Sequence, residues 1–134
     1  MKEIEFRAKG LYKDRWYYGY YVEYKKPMQH YIIDLDETVM DTQHLINEDT
    51  LGQYTGLKDI NKTKIFDGDL LYYHNANHDK EDGVMEVIFE DGAFMISGDI
   101  LVPLHETYCW ELEVVGNIHD NPELLGEIYE RNND

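Results

Sequence analysis

Apolar and polar residues alternate with a period of two through much of this chain, and turn residues separate the alternating runs. Residues 4–8 (IEFRA) have the pattern of a half-buried strand, and residues 16–24 (WYYGYYVEY) form a longer run. The longer run has aromatic side chains on both faces: Trp16, Tyr18, Tyr20, Val22 and Tyr24 on one, Tyr17, Gly19 and Tyr21 on the other. Further strands are predicted at 29–34, 70–73 and about 108–116, whereas 39–45 is ambiguous. This spacing of short strands and turns predicts a mainly β domain of mostly antiparallel strands.

The clearest local signal is a hairpin over residues 84–97. Asp91-Gly92 supplies the two residues with positive φ that a two-residue type I′ turn requires. That turn fixes the register, which pairs Glu90 with Ala93, Phe89 with Phe94, Ile88 with Met95 and Val87 with Ile96. One face of the hairpin is then predicted to form a core wall, made of Met85, Val87, Phe89, Phe94 and Ile96.

A short helix is predicted near the C-terminus. Asn121 can cap it, Pro122 occupies the first helical position, and Glu123 places an acid in the first turn. The chain of 134 residues has no repeat and no low-complexity linker, so a single domain over 1–134 is expected.

The composition limits the cellular compartment in which this protein is expected. Charged residues (Lys2, Glu3, Glu5 and Arg7) interrupt any apolar segment at the start, so no signal peptide is expected. No apolar run approaches the ~20 residues of a membrane span. The single cysteine, Cys109, lies in a strand-like setting and is interpreted as a buried structural thiol. We therefore expect a soluble protein in a reducing cytoplasm, without membrane contact.

The charge is large and uneven. Twelve Lys and Arg against 28 Asp and Glu give a net charge of −16. Residues 1–30 hold seven basic and four acidic side chains, whereas residues 31–134 hold five basic and 24 acidic ones. This charge disfavours direct nucleic acid binding, except through a local patch of Lys9, Lys13, Arg15, Lys25 and Lys26. Either the asymmetry serves solubility, or the basic N-terminal strands pair with acidic surface within one chain or between copies.

Three short motifs imitate functional sites. His74 and His78 have the i, i+4 spacing of a zinc pair, but the segment HNANHDKED is polar and is expected to be a surface loop. The run Asp59-x-Asn61-x-Thr63 resembles the start of a calcium loop without its glycine and final glutamate. Asp67-Gly68-Asp69 is interpreted as a turn before a strand rather than an acid–base pair. The remaining histidines are scattered: His30, His44, His105 and His119.

No catalytic, cofactor-binding or metal-binding residue is therefore predicted. The aromatic strand at 16–24 is interpreted as core or subunit interface, where tyrosine is enriched. Stacking of single-stranded nucleic acid on it is disfavoured, because sheets that do this combine aromatic residues with Lys and Arg.

Residues 51–70 (LGQYTGLKDINKTKIFDGDL) resemble the central block of the YopX family of uncharacterised phage and prophage proteins. The opening MKEIEFRAKG, RWYYGYYVEY and HYIID, and the later VIFEDGAF and VVGNIHDNPELL, also resemble that family. One departure is Asn61-Lys62, where the family commonly has an Asn-Gly turn, and a longer or differently shaped loop is expected there. The resemblance implies a mainly β pseudobarrel or sandwich with small helical segments, and it offers no functional residue to transfer.

Three hypotheses follow for function. The first is a non-enzymatic phage or prophage accessory protein in the cytoplasm of a bacterial host cell, acting by protein binding or as a homo-oligomer. The alternative is an acidic DNA mimic that antagonises a nucleic-acid-binding protein. The third, disfavoured by the charge, is nucleic acid binding through the local basic patch.

Overall fold

The computed structural model describes residues 3–34, 43–74, 84–98, 101–107 and 111–125. Within them the chain is mainly β, as predicted, and its strands form two antiparallel sheets. The strands are β1 (Phe6–Lys9), β2 (Trp16–Lys25), β3 (Met28–Asp34), β4 (Gln43–Leu45), β5 (Gly52–Lys58), β6 (Lys64–Phe66), β7 (Asp69–Tyr73), β8 (Val84–Glu90), β9 (Ala93–Ser97), β10 (Leu101–Pro103) and β11 (Leu112–Asn117). Over these described strands neither sheet closes into a barrel.

The chain divides into two compact units, Met1–Tyr54 and Thr55–Asp134. The sheet of the first unit has the strand order β4-β3-β2-β1-β5. Strand β5 continues into the second unit, where β6 is its next neighbour in the strand order. The second unit also holds a sheet of order β10-β9-β8-β7-β11. One domain over 1–134 remains a prediction, since each unit has a hydrophobic core of its own.

The core of the first unit lies on one face of β2. Successive residues of this strand point to opposite faces, so Tyr17 and Gly19 are buried while Tyr18 and Tyr20 are exposed. The buried face packs with neighbouring strands and with the segment after β4, in a cluster of Ala8, Tyr17, Ile32 and Ile46, flanked by Phe6, Tyr21 and Leu51. The aromatic residues of β2 therefore lie on two faces of the sheet, one buried in the core and one exposed to solvent.

The second unit contains the predicted hairpin, with its predicted register. Asp91 and Gly92 have φ values of 53° and 80°, the left-handed pair of a type I′ turn. Strands β8 and β9 pair Val87 with Ile96 and Phe89 with Phe94. The hairpin contributes to a core cluster of Ile65, Leu71, Val87, Ile96, Leu104 and Leu112.

One member of the predicted core wall is outside the core. Phe89 is 57% exposed, whereas Val87 on the same face is fully buried. Phe89 lies two residues before the turn, and its ring makes an edge contact with Phe94 at 5.1 Å between centroids. Because the buried cluster ends at Val87 and Ile96, the prediction that Phe89 builds the core was wrong.

The C-terminal helix lies close to the predicted position, with residues 123–125 helical and Pro122 in the turn before them. The Asn121 side chain accepts a hydrogen bond from Asn117 N at 3.2 Å, and so secures the preceding turn. Two 3₁₀ turns, Glu48–Thr50 and Leu104–Glu106, are the other small helical segments described. Three features named from the sequence (residues 39–42, His78 and Cys109) lie outside the described residues.

Candidate functional site

The calcium-like segment is a structural loop. The carboxylate of Asp59 is buried, and its Oδ1 accepts hydrogen bonds from Asn61 N and Thr63 N, each at 2.8 Å. Its Oδ2 accepts a third from Val114 N at 2.8 Å, which fastens the loop to β11. Lys62 takes φ = 65°, the left-handed conformation that glycine adopts readily. Asp59 thus directs both its oxygens to backbone N–H groups.

Asp67-Gly68-Asp69 is a turn, as interpreted from the sequence. Asp69 is 1% exposed, and its Oδ2 accepts a hydrogen bond from Phe66 N at 2.7 Å. Gly68 has φ = 92°, and its N–H donates to the Val87 carbonyl at 2.8 Å. The two carboxylates therefore belong to a tight connection between β6 and β7.

Two described histidines of the second unit, His74 and His105, each lie beside a carboxylate. His74 Nε2 lies 2.7 Å from Glu113 Oε2 across β7 and β11, while His105 is 3.9 Å from the neighbouring Glu106. Over the described ranges, no group of three or more His, Cys, Asp or Glu side chains has an arrangement that could hold a metal ion.

Three ionisable side chains contact one another in a row on the inner face of the first sheet. Tyr21 Oη is 2.6 Å from His30 Nδ1, and His30 Nε2 is 2.9 Å from Glu48 Oε2. The His30 side chain is 14% exposed and Glu48 is 61% exposed, so the chain of contacts leads from the core to solvent. Strands β2 and β3 and the 3₁₀ turn Glu48–Thr50 each supply one member. Sequence reasoning missed this cluster because its members are nine and eighteen residues apart, without any motif spacing.

The electrostatics of this cluster favour a structural role. Burial raises the pKa of Tyr21, and the carboxylates of Glu23 and Glu48 raise it further. The Tyr21 hydroxyl therefore stays protonated and hydrogen-bonds with His30 Nδ1, while His30 Nε2 lies beside the Glu48 carboxylate. A phenol with a raised pKa is a poor nucleophile, since the phenolate is the reactive form. The three side chains clamp β3 between β2 and the 3₁₀ turn.

The opposite face of the same sheet presents aromatic residues to solvent. Tyr18, Tyr20 and Tyr24 are 44%, 55% and 46% exposed. Two apolar cross-strand pairs lie on this face, since Tyr20 pairs with Ile33 and Val22 pairs with Tyr31, while Tyr24 pairs with the polar Gln29. We call this surface the tyrosine face and define it as six residues of β2 and β3: Tyr18, Tyr20, Val22, Tyr24, Tyr31 and Ile33.

Cations accompany the aromatic residues at one end of this surface. The Arg7 guanidinium lies 4.8 Å from the centroid of the Trp16 ring, and Lys9 Nζ lies 5.9 Å from it. Arg7 is only 6% exposed, and Lys9 is paired with Asp14 at 2.8 Å. Both cations are therefore already held by contacts within the protein.

The basic patch proposed from the sequence is divided between the two ends of β2. Lys9 and Arg15 lie at its start, where Arg15 stacks over Tyr17 at 5.4 Å. Lys25 is its last residue and Lys26 follows in the turn. Ten strand residues separate the two ends by about 30 Å, so the five cations do not form one cluster.

These features define the class of this protein, a small mainly β protein. It has two antiparallel sheets, an exposed tyrosine face, and carboxylates that accept hydrogen bonds from backbone N–H groups in turns. The chain belongs to the YopX protein family, whose model matches residues 5–126. It is also similar to the crystal structure of protein EF1440 from Enterococcus faecalis, at 24% identity and a TM-score of 0.59. That likeness covers 93% of this chain and 99% of the other and concerns the fold alone.

No functionally curated protein matches the chain. The described part of the chain has no helix that is long and apolar enough to cross a membrane.

Proposed function

We propose that this member of the YopX family is a non-enzymatic phage or prophage accessory protein, which acts in the bacterial cytoplasm by binding protein through the tyrosine face. The observation that carries the proposal is the exposure of Tyr18, Tyr20 and Tyr24 on one side of a single strand. Large exposed apolar surface of this kind is characteristic of interaction sites. Tyrosine and tryptophan are also the residues that most often dominate binding energy at protein interfaces.

A protein partner fits this surface better than a nucleic acid. Stacking proteins combine aromatic platforms with cations that are free to contact phosphate. Here Arg7 and Lys9 are held against Trp16, and Lys9 is also paired with Asp14. The net charge of −16 adds a long-range repulsion of phosphate.

The carboxylates and histidines support a role without catalysis. Asp59 and Asp69 bind backbone N–H groups, and His30 is held between Tyr21 and Glu48. These contacts account for the motifs that imitate catalytic and metal sites within the described residues.

The test compares capture by three forms of the immobilised protein. The first is wild type, the second carries Tyr18→Ser, Tyr20→Ser and Tyr24→Ser, and the third carries Phe89→Ser and Leu101→Ser. The third form is the matched control, because Phe89 and Leu101 are comparably exposed and lie in the second unit. The proposal expects a bacterial protein retained by wild type and by the control but lost with the tyrosine variant. Equal capture by all three forms would contradict it.

Charge favours a second candidate, a DNA mimic. Residues 55–134 hold five basic and eighteen acidic side chains, a net of −13, against −3 for residues 1–54. A basic nucleic-acid-binding protein would bind such a surface by charge, so moderate salt and added DNA would release it. This candidate expects the tyrosine variant to capture that protein as well as wild type does. Gel shifts at low salt with single- and double-stranded DNA and RNA test direct nucleic acid binding, and we expect none.

A further inference from the structure

We propose that the tyrosine face binds a second copy of this chain, with two tyrosine faces packed against each other about a two-fold axis. This inference rests on the proposed function, because it names the partner of the same surface. A two-fold interface uses one patch twice, so that patch must be compatible with itself in charge and in shape.

Charge distribution favours this surface as the place where two copies meet. Each copy carries −16, so approach through most of the surface is repulsive. The six residues of the tyrosine face are uncharged, and residues 1–30, which supply β1, β2 and the turn into β3, are net positive with seven basic and four acidic side chains. Two tyrosine faces can therefore meet with less repulsion than surfaces of the strongly acidic residues 55–134.

The sizes of the side chains along β2 are self-complementary. After Trp16, the outward positions of β2 read Tyr18, Tyr20, Val22 and Tyr24, so one small side chain interrupts the tyrosines. A two-fold axis between positions 20 and 22 places Tyr20 of one copy over Val22 of the other. It also brings Tyr18 to Tyr24, a pair that can make the edge-to-face contact aromatic rings prefer.

The available area indicates a reversible dimer. An aromatic side chain can bury about 150–250 Å², so three half-exposed tyrosines contribute roughly 200–400 Å² per copy. A standard interface needs about 800 Å² per partner. Val22, Tyr31 and Ile33 add apolar area beside the tyrosines, and polar rim residues must supply the rest. Salt should strengthen this dimer, because screening weakens the repulsion between two copies of charge −16.

The experiment measures the dimer dissociation constant by sedimentation equilibrium at low and at moderate salt. We expect wild type to dimerise more tightly at higher salt, and Tyr20→Glu to weaken the dimer by ~30-fold or more, as loss of a central interface residue does. Tyr12→Glu is the matched control, since Tyr12 is 85% exposed and lies outside the tyrosine face. It should dimerise like wild type.

Cross-linking tests the register independently of Tyr20→Glu, and Cys109→Ser removes the native thiol beforehand. A bis-maleimide reagent, which joins two thiols across the ~10 Å between packed sheets, should cross-link copies carrying Tyr18→Cys mixed with copies carrying Tyr24→Cys faster than either copy alone. Equal rates in the mixture and the separate proteins would overturn the proposed register.

The two proposals fail in different ways. A wild type that stays monomeric at every salt concentration overturns the second copy as partner. If the tyrosine-dependent capture of a bacterial protein persists in that case, the proposed function stands. A dimer that survives Tyr20→Glu also overturns the inference, because its interface must lie elsewhere.

Discussion

Tyr21 and His30 are diagonal neighbours across β2 and β3, and Tyr21 Oη lies 2.6 Å from His30 Nδ1. Their rings are nearly parallel, with an interplanar angle of 3° and centroids 5.9 Å apart. Because His30 Nε2 also contacts Glu48, one imidazole ties two strands and a 3₁₀ turn together. This inner face is fixed by polar contacts, whereas the opposite face offers its tyrosines to solvent.

Removing the Tyr21 hydroxyl should destabilise the first unit. Tyr21→Phe keeps the ring against Phe6 but deprives His30 Nδ1 of its hydrogen-bond partner in a partly buried site. We expect the free energy of unfolding to fall by about 1–2 kcal/mol, measured by urea denaturation. Tyr20→Phe removes a hydroxyl from the exposed face of the same strand and should change stability by less than ~0.5 kcal/mol. Equal effects of the two substitutions would show that the contact with His30 contributes little.

Replacing Asp59 should destabilise the second unit. Asp59→Asn keeps the shape of the side chain but replaces one accepting oxygen with an NH₂ group, which cannot accept from a backbone N–H. Either Val114 N or the pair Asn61 N and Thr63 N then loses its acceptor. We expect a loss of about 2–3 kcal/mol in the free energy of unfolding.

Two measurements accompany the Asp59 prediction. Asp49→Asn, at an exposed position in the 3₁₀ turn, is the control for removing a carboxylate and should change stability far less. Millimolar calcium should leave the melting temperature of wild type unchanged, because both Asp59 oxygens face N–H groups. A calcium-dependent rise would show that the loop binds the ion.

The predictable parts of this fold are those set by neighbouring residues. Asp91-Gly92 encodes a turn whose backbone is left-handed at both positions, and that turn alone fixed the pairing of Phe89 with Phe94. The alternation along β2 likewise predicted which aromatic residues share a face. Periodicity assigns a side chain to a face, but it cannot say where the covering layer ends, and so Phe89 was assigned to the core and is exposed.

The candidate sites were less predictable, because they depend on long-range contacts. Asp59 accepts a hydrogen bond from Val114 N, 55 residues further along the chain. Glu48 contacts His30 from a 3₁₀ turn, which no periodic pattern in the sequence predicts. The tyrosine face was predicted as a row of residues, but its exposure depends on which side of the sheet the segment containing Ile46 and Leu51 covers. Only the assembled first unit reveals that the Tyr17 side is covered.

Glu86 should make stability depend on pH. Burial raises the pKa of this carboxyl above its ordinary 4.5, and the Asp67 carboxylate raises it further. A folded-state pKa above the unfolded value gives a stabilising contribution that is complete below pH 4.5 and disappears as pH rises through the folded-state pKa. Glu86→Gln, which stays neutral, should therefore be more stable than wild type at pH 7, and the difference should shrink below pH 4.5.

Urea denaturation from pH 4 to pH 8 checks the Glu86 prediction, with Glu90→Gln as the control for net charge. Glu90 is on the same strand, at its exposed end beside the turn. If Glu90→Gln raised the free energy of unfolding at pH 7 as much as Glu86→Gln does, the effect would come from overall charge instead of from burial.

Gly19 should be the least replaceable residue of β2, because the neighbouring strand occupies the space of a side chain. A Cβ at this position would lie 1.9 Å from the Ile33 carbonyl oxygen and 2.8 Å from the Ile33 carbonyl carbon. Both atoms are backbone, so relief requires β2 and β3 to separate, which would also disturb the contact between Tyr21 and His30. We expect Gly19→Ala to lower the free energy of unfolding by about 3 kcal/mol, at the upper end of overpacking costs.

Gly56→Ala provides the comparison for Gly19→Ala. Gly56 has φ = 89° and no atom within 4 Å of an added Cβ, so its substitution meets backbone strain without a clash. Its cost should stay near ~1–2 kcal/mol. Urea denaturation of both variants, followed by tyrosine fluorescence, ranks them. A smaller loss of stability for Gly19→Ala than for Gly56→Ala would show that β2 and β3 can move apart at this point. The hydrogen bonds of the inner face would then hold the two strands less tightly than expected.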